Sequence, residues 1–175
     1  MSSQQHIVDR RNWQYLMYGQ TPTHKRRKGT EAWEAMEATP AAEDVYRICL
    51  VRQKQADGEP LHWSLFIYKE GVSTGMVMQV KGDVVHMHHL HAQDINIFGS
   101  DSFKDQFDLG IVTETQRNQI WTAAHQLAPP QADSQAQVVE NCQGWTIHLV
   151  QWLVQQGIVN PAWIESLRNM MQPIS

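Results

Sequence analysis

The sequence predicts an α+β domain: an antiparallel sheet of about five or six strands with C-terminal helices packed on one face. Three observations lead there. Short runs rich in β-branched and aromatic residues crowd the chain from Asp44 to Thr115. The first of these are joined by segments shorter than the roughly dozen residues that a parallel crossover takes, so they pair antiparallel. Beyond Thr113 the apolar period turns from alternating to helical. A chain of 175 residues with 42% hydrophobic content suits one core of this kind.

Residues 1 to 40 read as an N-terminal extension, loosely ordered or docked, because "TPTH", "KRRKG" and "ATP" break it. Within it "RNWQYLMY" and "EAWEAMEA" carry aromatic or helical signals, and "HKRRK" reads as a solvated face or flexible linker. Residues 41 to 175 form the domain proper. "DVYRICLVRQ", "LHWSLFIYKE" and "GMVMQVKG" are strands separated by the turn formers of "ADGEP" and "GVST". "DVVHMHHLHAQDINIFG" adds one or two more, and "FDLGIVTET" another. "TETQRNQIWTAAHQL" is a helix capped by Thr113 or Thr115, with Ile120, Ala123, Ala124 and Leu127 on its apolar side, and "APPQADSQ" stops it. The helix containing Cys142 follows. "PAWIESLRNMMQ" is then a short helix with Pro161 at its first position and Asn160 as cap.

Composition narrows the function. A net charge of −4 lacks the basic excess that a nucleic-acid or membrane-surface partner demands. With only Cys49 and Cys142, a disulfide scaffold is not expected, and both thiols read as reduced in a cytoplasmic protein. The N-terminus lacks the apolar segment of a secretory signal. The most apolar stretch, Trp145 to Val159, is interrupted by His148, Gln151, Gln155 and Gln156, so no membrane span is expected. No cofactor is called for by any motif.

The chemistry centres on "NCQGW". On a helical wheel Cys142 shares a side with Val138, Thr146, Leu149 and Leu153, which points the thiol toward the sheet. Buried free cysteine is commonly a small hydrophobe. In the first turn of a helix, however, unpaired N–H groups and the positive dipole end lower a thiol pKa and can hold an oxyanion. Gly144 argues for a helix start here, or for a close approach by substrate or sheet. A cysteine nucleophile needs a base, and the base needs an orienting group. His62 opens the strand "HWSLFIY", where a strand end can meet a helix N-terminus; it shares a face with Ser64 and Phe66, opposite Trp63, Leu65 and Ile67. Gln79 interrupts an apolar strand and either accepts the imidazole N–H of His62 or lies in water at an edge.

"HWSLFI", a strand with a central polar residue and then "NCQGW" at a helix resemble the circularly permuted papain-like fold of the lecithin:retinol acyltransferase group, relatives of the NlpC peptidases. The likeness covers roughly Asp44 to Gln156 and extends to a group of small fungal proteins of this fold. It implies Cys142 as nucleophile, His62 as general base and Gln79 where many relatives place a second histidine. The chain departs from it in Gln143-Gly144-Trp145 after the cysteine and in lacking a hydrophobic membrane tail.

The expectation is a cysteine hydrolase or acyltransferase acting on an ester, thioester or amide carbonyl of a small-molecule or acyl substrate. Asn141 and the Cys142 N–H would serve the oxyanion, and Trp63 and Trp145 would either line an apolar pocket or pack in the core. The alternative is a non-catalytic small-molecule- or protein-binding member of the same fold. "HMHHLH" places His86 and His88 on one strand face and His89 and His91 on the other, two imidazoles each, which is too few for a metal without Asp94 or His125; a polar strand or loop is the simpler reading. His148 lies away from Cys142 on the wheel, and Cys49 reads as packing.

Overall fold

The computed structural model describes residues 5–18, 20–36 and 44–174. The chain divides into two compact units, Met1–Glu43 and Asp44–Ser175. The expected boundary at residue 40 falls outside the described residues.

The first unit is an antiparallel sheet in the order β1-β2-β3-β4, formed by Gln5–Arg10, Trp13–Tyr18, Thr21–Arg27 and Glu34–Ala35. The extension is thus strand rather than loose chain over its described part. The basic run is built into β3: Lys25 Nζ lies 5.3 Å from the Trp13 ring centre and the Arg26 guanidinium 4.3 Å from that of Trp33, contacts that attract a cation to an aromatic face. The helical signal of "EAWEAMEA" is overridden where Glu34 and Ala35 pair with Lys25 and His24; its last two residues lie outside the described ones.

In the second unit β5 (Val45–Gln53), β6 (His62–Tyr68) and β7 (Gly75–Met78) form the expected antiparallel meander. β8 (Val80–Lys81) pairs with β9 (His88–His89) apart from the main sheet. β10 (Ala92–Ile95) and β11 (Phe103–Thr113) complete a five-stranded sheet of order β10-β7-β6-β5-β11. Three helices follow: α1 (Glu114–Gln126), α2 (Cys142–Gln155) and α3 (Ala162–Met170). Thr113 caps α1 in a capping box with Gln116, and Asn160 Oδ1 accepts from the Ala162 N–H at 2.9 Å before α3.

Alternation along the strands sorts the two faces. Ile48, Leu50, Trp63, Leu65, Ile67 and Met78 meet Ile120, Trp145, Leu149, Leu153 and Leu167 from the helices. Cys49, Val51, Phe66 and Val77 face the other way, beneath Ile97, Phe98 and Phe103. The helices therefore cover one face, as the sequence implied. Among the described residues no helix is long and apolar enough to cross a membrane.

"GMVMQVKG" is not one continuous strand. At Gln79 the main chain leaves the ladder, its N–H donating to His91 Nδ1 (3.0 Å) and its carbonyl accepting from the Leu90 N–H (3.1 Å). Gly82, at φ +119, turns the chain after Lys81; a Cβ there would come within 3.0 Å of the His86 carbonyl.

Candidate functional site

α2 starts where the sequence suggested. Asn141 Oδ1 accepts from the Gln143 N–H at 2.9 Å, which makes Cys142 the first helical residue; upstream, "AQVVE" contributes only the 3-10 turn Gln135–Gln137. The space beside Gly144 is taken by Glu140, whose Cγ would lie 2.6 Å from an added Cβ and whose Oε1 is 3.0 Å from His148 Nδ1. The Cys142 side chain is buried. Burial raises its thiol pKa above the ordinary value, against the pull of the main-chain N–H groups of Trp63, Cys142 and Gln143 and the charge of Lys81. That reverses the expectation of a lowered pKa: desolvation of the thiolate outweighs the helix terminus.

His62 is also buried, at the first position of β6, with Nε2 2.8 Å from Gln79 Oε1. The other half of the Gln79 amide fixes the proton. Gln79 Nε2 donates to the Leu90 carbonyl at 3.0 Å, so the atom facing His62 is the oxygen, and His62 Nε2 must carry the hydrogen. Neutral His62 therefore has a bare Nδ1. Burial lowers its pKa to about 4, partly offset by the Gln79 hydrogen bond. Gln79 is buried between β7 and β8, not in water at an edge.

A second imidazole stands behind this pair. His91 Nδ1 accepts the Gln79 N–H, so its Nε2 carries the hydrogen and donates to the Ala124 carbonyl at 3.2 Å; His89 Nε2 lies 2.9 Å from the Leu127 carbonyl. Burial lowers the His91 pKa to about 4. Of the histidines of "HMHHLH", His89 and His91 thus bind the C-terminal end of α1 and His91 braces Gln79, while His86 lies 3.3 Å from Gln131 Oε1 and His88 is exposed. Among the described residues no three His, Cys, Asp or Glu side chains are grouped to hold a metal ion.

Cys142 and His62 line adjoining cavities of about 290 and 300 Å³ that share Gln55, Gly82 and Met87. Among the described residues no hydrogen bond joins the two side chains; their proximity is carried by the N–H of Trp63, the residue after His62, acting on the Cys142 sulfur. Asn141 lines the Cys142 cavity. Trp63 and Trp145 do not: both are fully buried, Trp145 with its Nε1 3.0 Å from the Leu127 carbonyl, so the expectation of a tryptophan-lined pocket is corrected to core packing.

Two glutamines were not singled out by sequence. Gln143 Nε2 donates to the Leu61 carbonyl (2.8 Å) and its Oε1 accepts from the Gln172 N–H (2.9 Å), while Gln172 Oε1 accepts from the Leu61 N–H (2.7 Å). This exchange ties the chain after α3 to the residues beside both Cys142 and His62, and Ile174 forms part of the Cys142 cavity wall. A polar residue directly after the cysteine was the only available signal.

Comparison with known proteins adds a family. The model of a family of unknown function, DUF6540, matches residues 48–160. The chain belongs to that family. No curated protein and no solved structure matches it. The DUF6540 span encloses His62, Gln79, His91, Asn141 and Cys142, and ends before Gln172.

Proposed function

We propose that the protein is a cysteine-dependent hydrolase or acyltransferase with a circularly permuted papain-like arrangement, acting on an ester, thioester or amide carbonyl. Cys142 Sγ attacks the carbonyl carbon as its proton passes to His62 Nδ1; the carbonyl oxygen becomes an oxyanion at the N-terminus of α2, where the Cys142 N–H is available. Collapse of the tetrahedral adduct breaks the bond to the leaving group, which takes the proton from His62. Water, an amine or an alcohol then attacks the thioester while His62 removes its proton, and the thiol is regenerated. Gln79 accepts the Nε2–H throughout, from the neutral imidazole and from the imidazolium.

The observation that carries this reading is the Gln79 amide, whose orientation leaves His62 Nδ1 as the acceptor. The order of elements, with the histidine strand before the cysteine helix, supports the permuted arrangement. A raised thiol pKa beside a lowered imidazole pKa makes the resting pair neutral, so proton transfer accompanies attack rather than preceding it. The thiol–imidazole contact is one that tightens when substrate is bound.

Incubation with p-nitrophenyl acetate tests the proposal. The expected result is one acetyl group per chain, mapped by peptide mass to Cys142, absent in Cys142→Ala and slowed by about a hundredfold or more in His62→Ala. No adduct, or acetylation unaffected by His62→Ala, would favour the non-catalytic binding reading, with which the raised thiol pKa also accords.

A further inference from the structure

The two cavities beside Cys142 and His62 carry opposite charge. Among the described residues, the His62 side is lined by Lys54 and Lys81 and by no acidic residue. Among the same residues, the Cys142 side is lined by Glu59 and Asp83 and by no basic one. The division falls at Gly82, whose left-handed backbone sends Lys81 to one side and Asp83 to the other. Elsewhere in this unit Arg47, Arg52, Lys69 and Arg117 each have an acidic partner, while Lys104 and Arg168, which line neither cavity, have no ion pair among the described residues. Lys54 and Lys81 have none among the described residues, although Asp83 is two positions from Lys81. Lys81 is half-buried, and its charge reaches both His62 and Cys142.

An unpaired ammonium in a concave, partly desolvated site attracts an anion more strongly than one in open solvent. Resting on the thiol chemistry proposed above, we infer that the substrate carries an anionic group, a carboxylate or a phosphate, held by Lys54 and Lys81 on the His62 side, while its neutral or cationic remainder lies against Glu59 and Asp83. The arrangement fixes direction as well as affinity. Reversing the substrate would put its anion against two carboxylates, so the carbonyl reaches Cys142 from one side only.

Alkylation by two reagents that differ in charge reads this without knowledge of the substrate. The rate at Cys142 is measured with iodoacetate and with iodoacetamide on the full chain, each normalised to mercaptoethanol. The expected iodoacetate-to-iodoacetamide ratio exceeds that of mercaptoethanol by about tenfold at low ionic strength, falls several-fold in Lys81→Gln and in Lys54→Gln, and rises in Glu59→Gln. Added inorganic phosphate or acetate, at ionic strength balanced with chloride, slows iodoacetate at Cys142, and the more effective of the two assigns the anion class. A normalised ratio of one, or a ratio indifferent to both lysine substitutions, overturns the inference. Failure of the thiol chemistry shows elsewhere, in iodoacetamide labelling Cys142 no faster than Cys49.

Discussion

His62 and Gln79 form a buried polar pair in which every atom has an assigned role, and removing one partner has a computable cost. Gln79→Leu leaves the His62 Nε2–H without an acceptor and frees the imidazole to turn; stability is expected to drop by about 1–3 kcal/mol in urea unfolding, together with loss of Cys142 acylation. The histidine also makes stability depend on pH. The unfolded imidazole takes a proton near pH 6.5, the folded one only near 4, so unfolding takes up a proton between those values. Stability is full above about 6.5 and declines as pH falls to about 4, by on the order of 3 kcal/mol from His62. Urea midpoints across that window should show the decline, and His62→Phe should flatten it without abolishing it, since His91 titrates with the same sign. Residue identity and spacing made His62, Gln79 and Cys142 legible in the sequence. The thiol pKa was not, because its sign is set by burial, and burial depends on a core that includes Trp63 and Met87, brought in from distant parts of the chain.

At the scale of elements, the start of α2 is the feature on which the site depends. Asn141→Ala removes the cap and should lower the melting free energy by about 1 kcal/mol while slowing acylation, as the Cys142 N–H loses its fixed direction. The strap formed by Gln143 and Gln172 has a different signature. Gln172→Ala leaves the Leu61 N–H without its acceptor and loosens the wall that includes Ile174, so a bulky thiol reagent such as dithionitrobenzoate should react several-fold faster with Cys142 than in the unaltered chain, whereas iodoacetamide should change little. Strands β5 and β6 and the helices followed from alternation, caps and turn residues, all local signals. The interruption of the third strand at Gln79 did not, because it depends on His91, twelve residues later, supplying an acceptor for the Gln79 N–H. Nor did the sheet of the first unit, where cation–π contacts of Lys25 and Arg26 give a basic run a structural place that composition alone assigns to solvent.

For the molecule as a whole, both hydrophobic clusters and all site residues lie between Asp44 and Ser175, and the family match falls within the same span. A chain of residues 44–175 is therefore expected to unfold in a single cooperative transition and to retain the Cys142 chemistry; aggregation or a melt without cooperativity would mean that its core is incomplete. The fold class was legible because each level agreed, strands clustered before helices and apolar periods matched to each; the pairing of two side chains eighty positions apart rested on resemblance, since no local pattern encodes it. That pairing is tested most directly by the rate of iodoacetamide incorporation at Cys142 and Cys49, near pH 8, in the unaltered chain and in a folded His62→Ala variant. The account predicts that Cys142 reacts at least about tenfold faster than Cys49, whose thiol burial pushes up to about 12, and that His62→Ala removes most of the advantage. Equal slow labelling of the two thiols, or an advantage that survives the loss of His62, would contradict it.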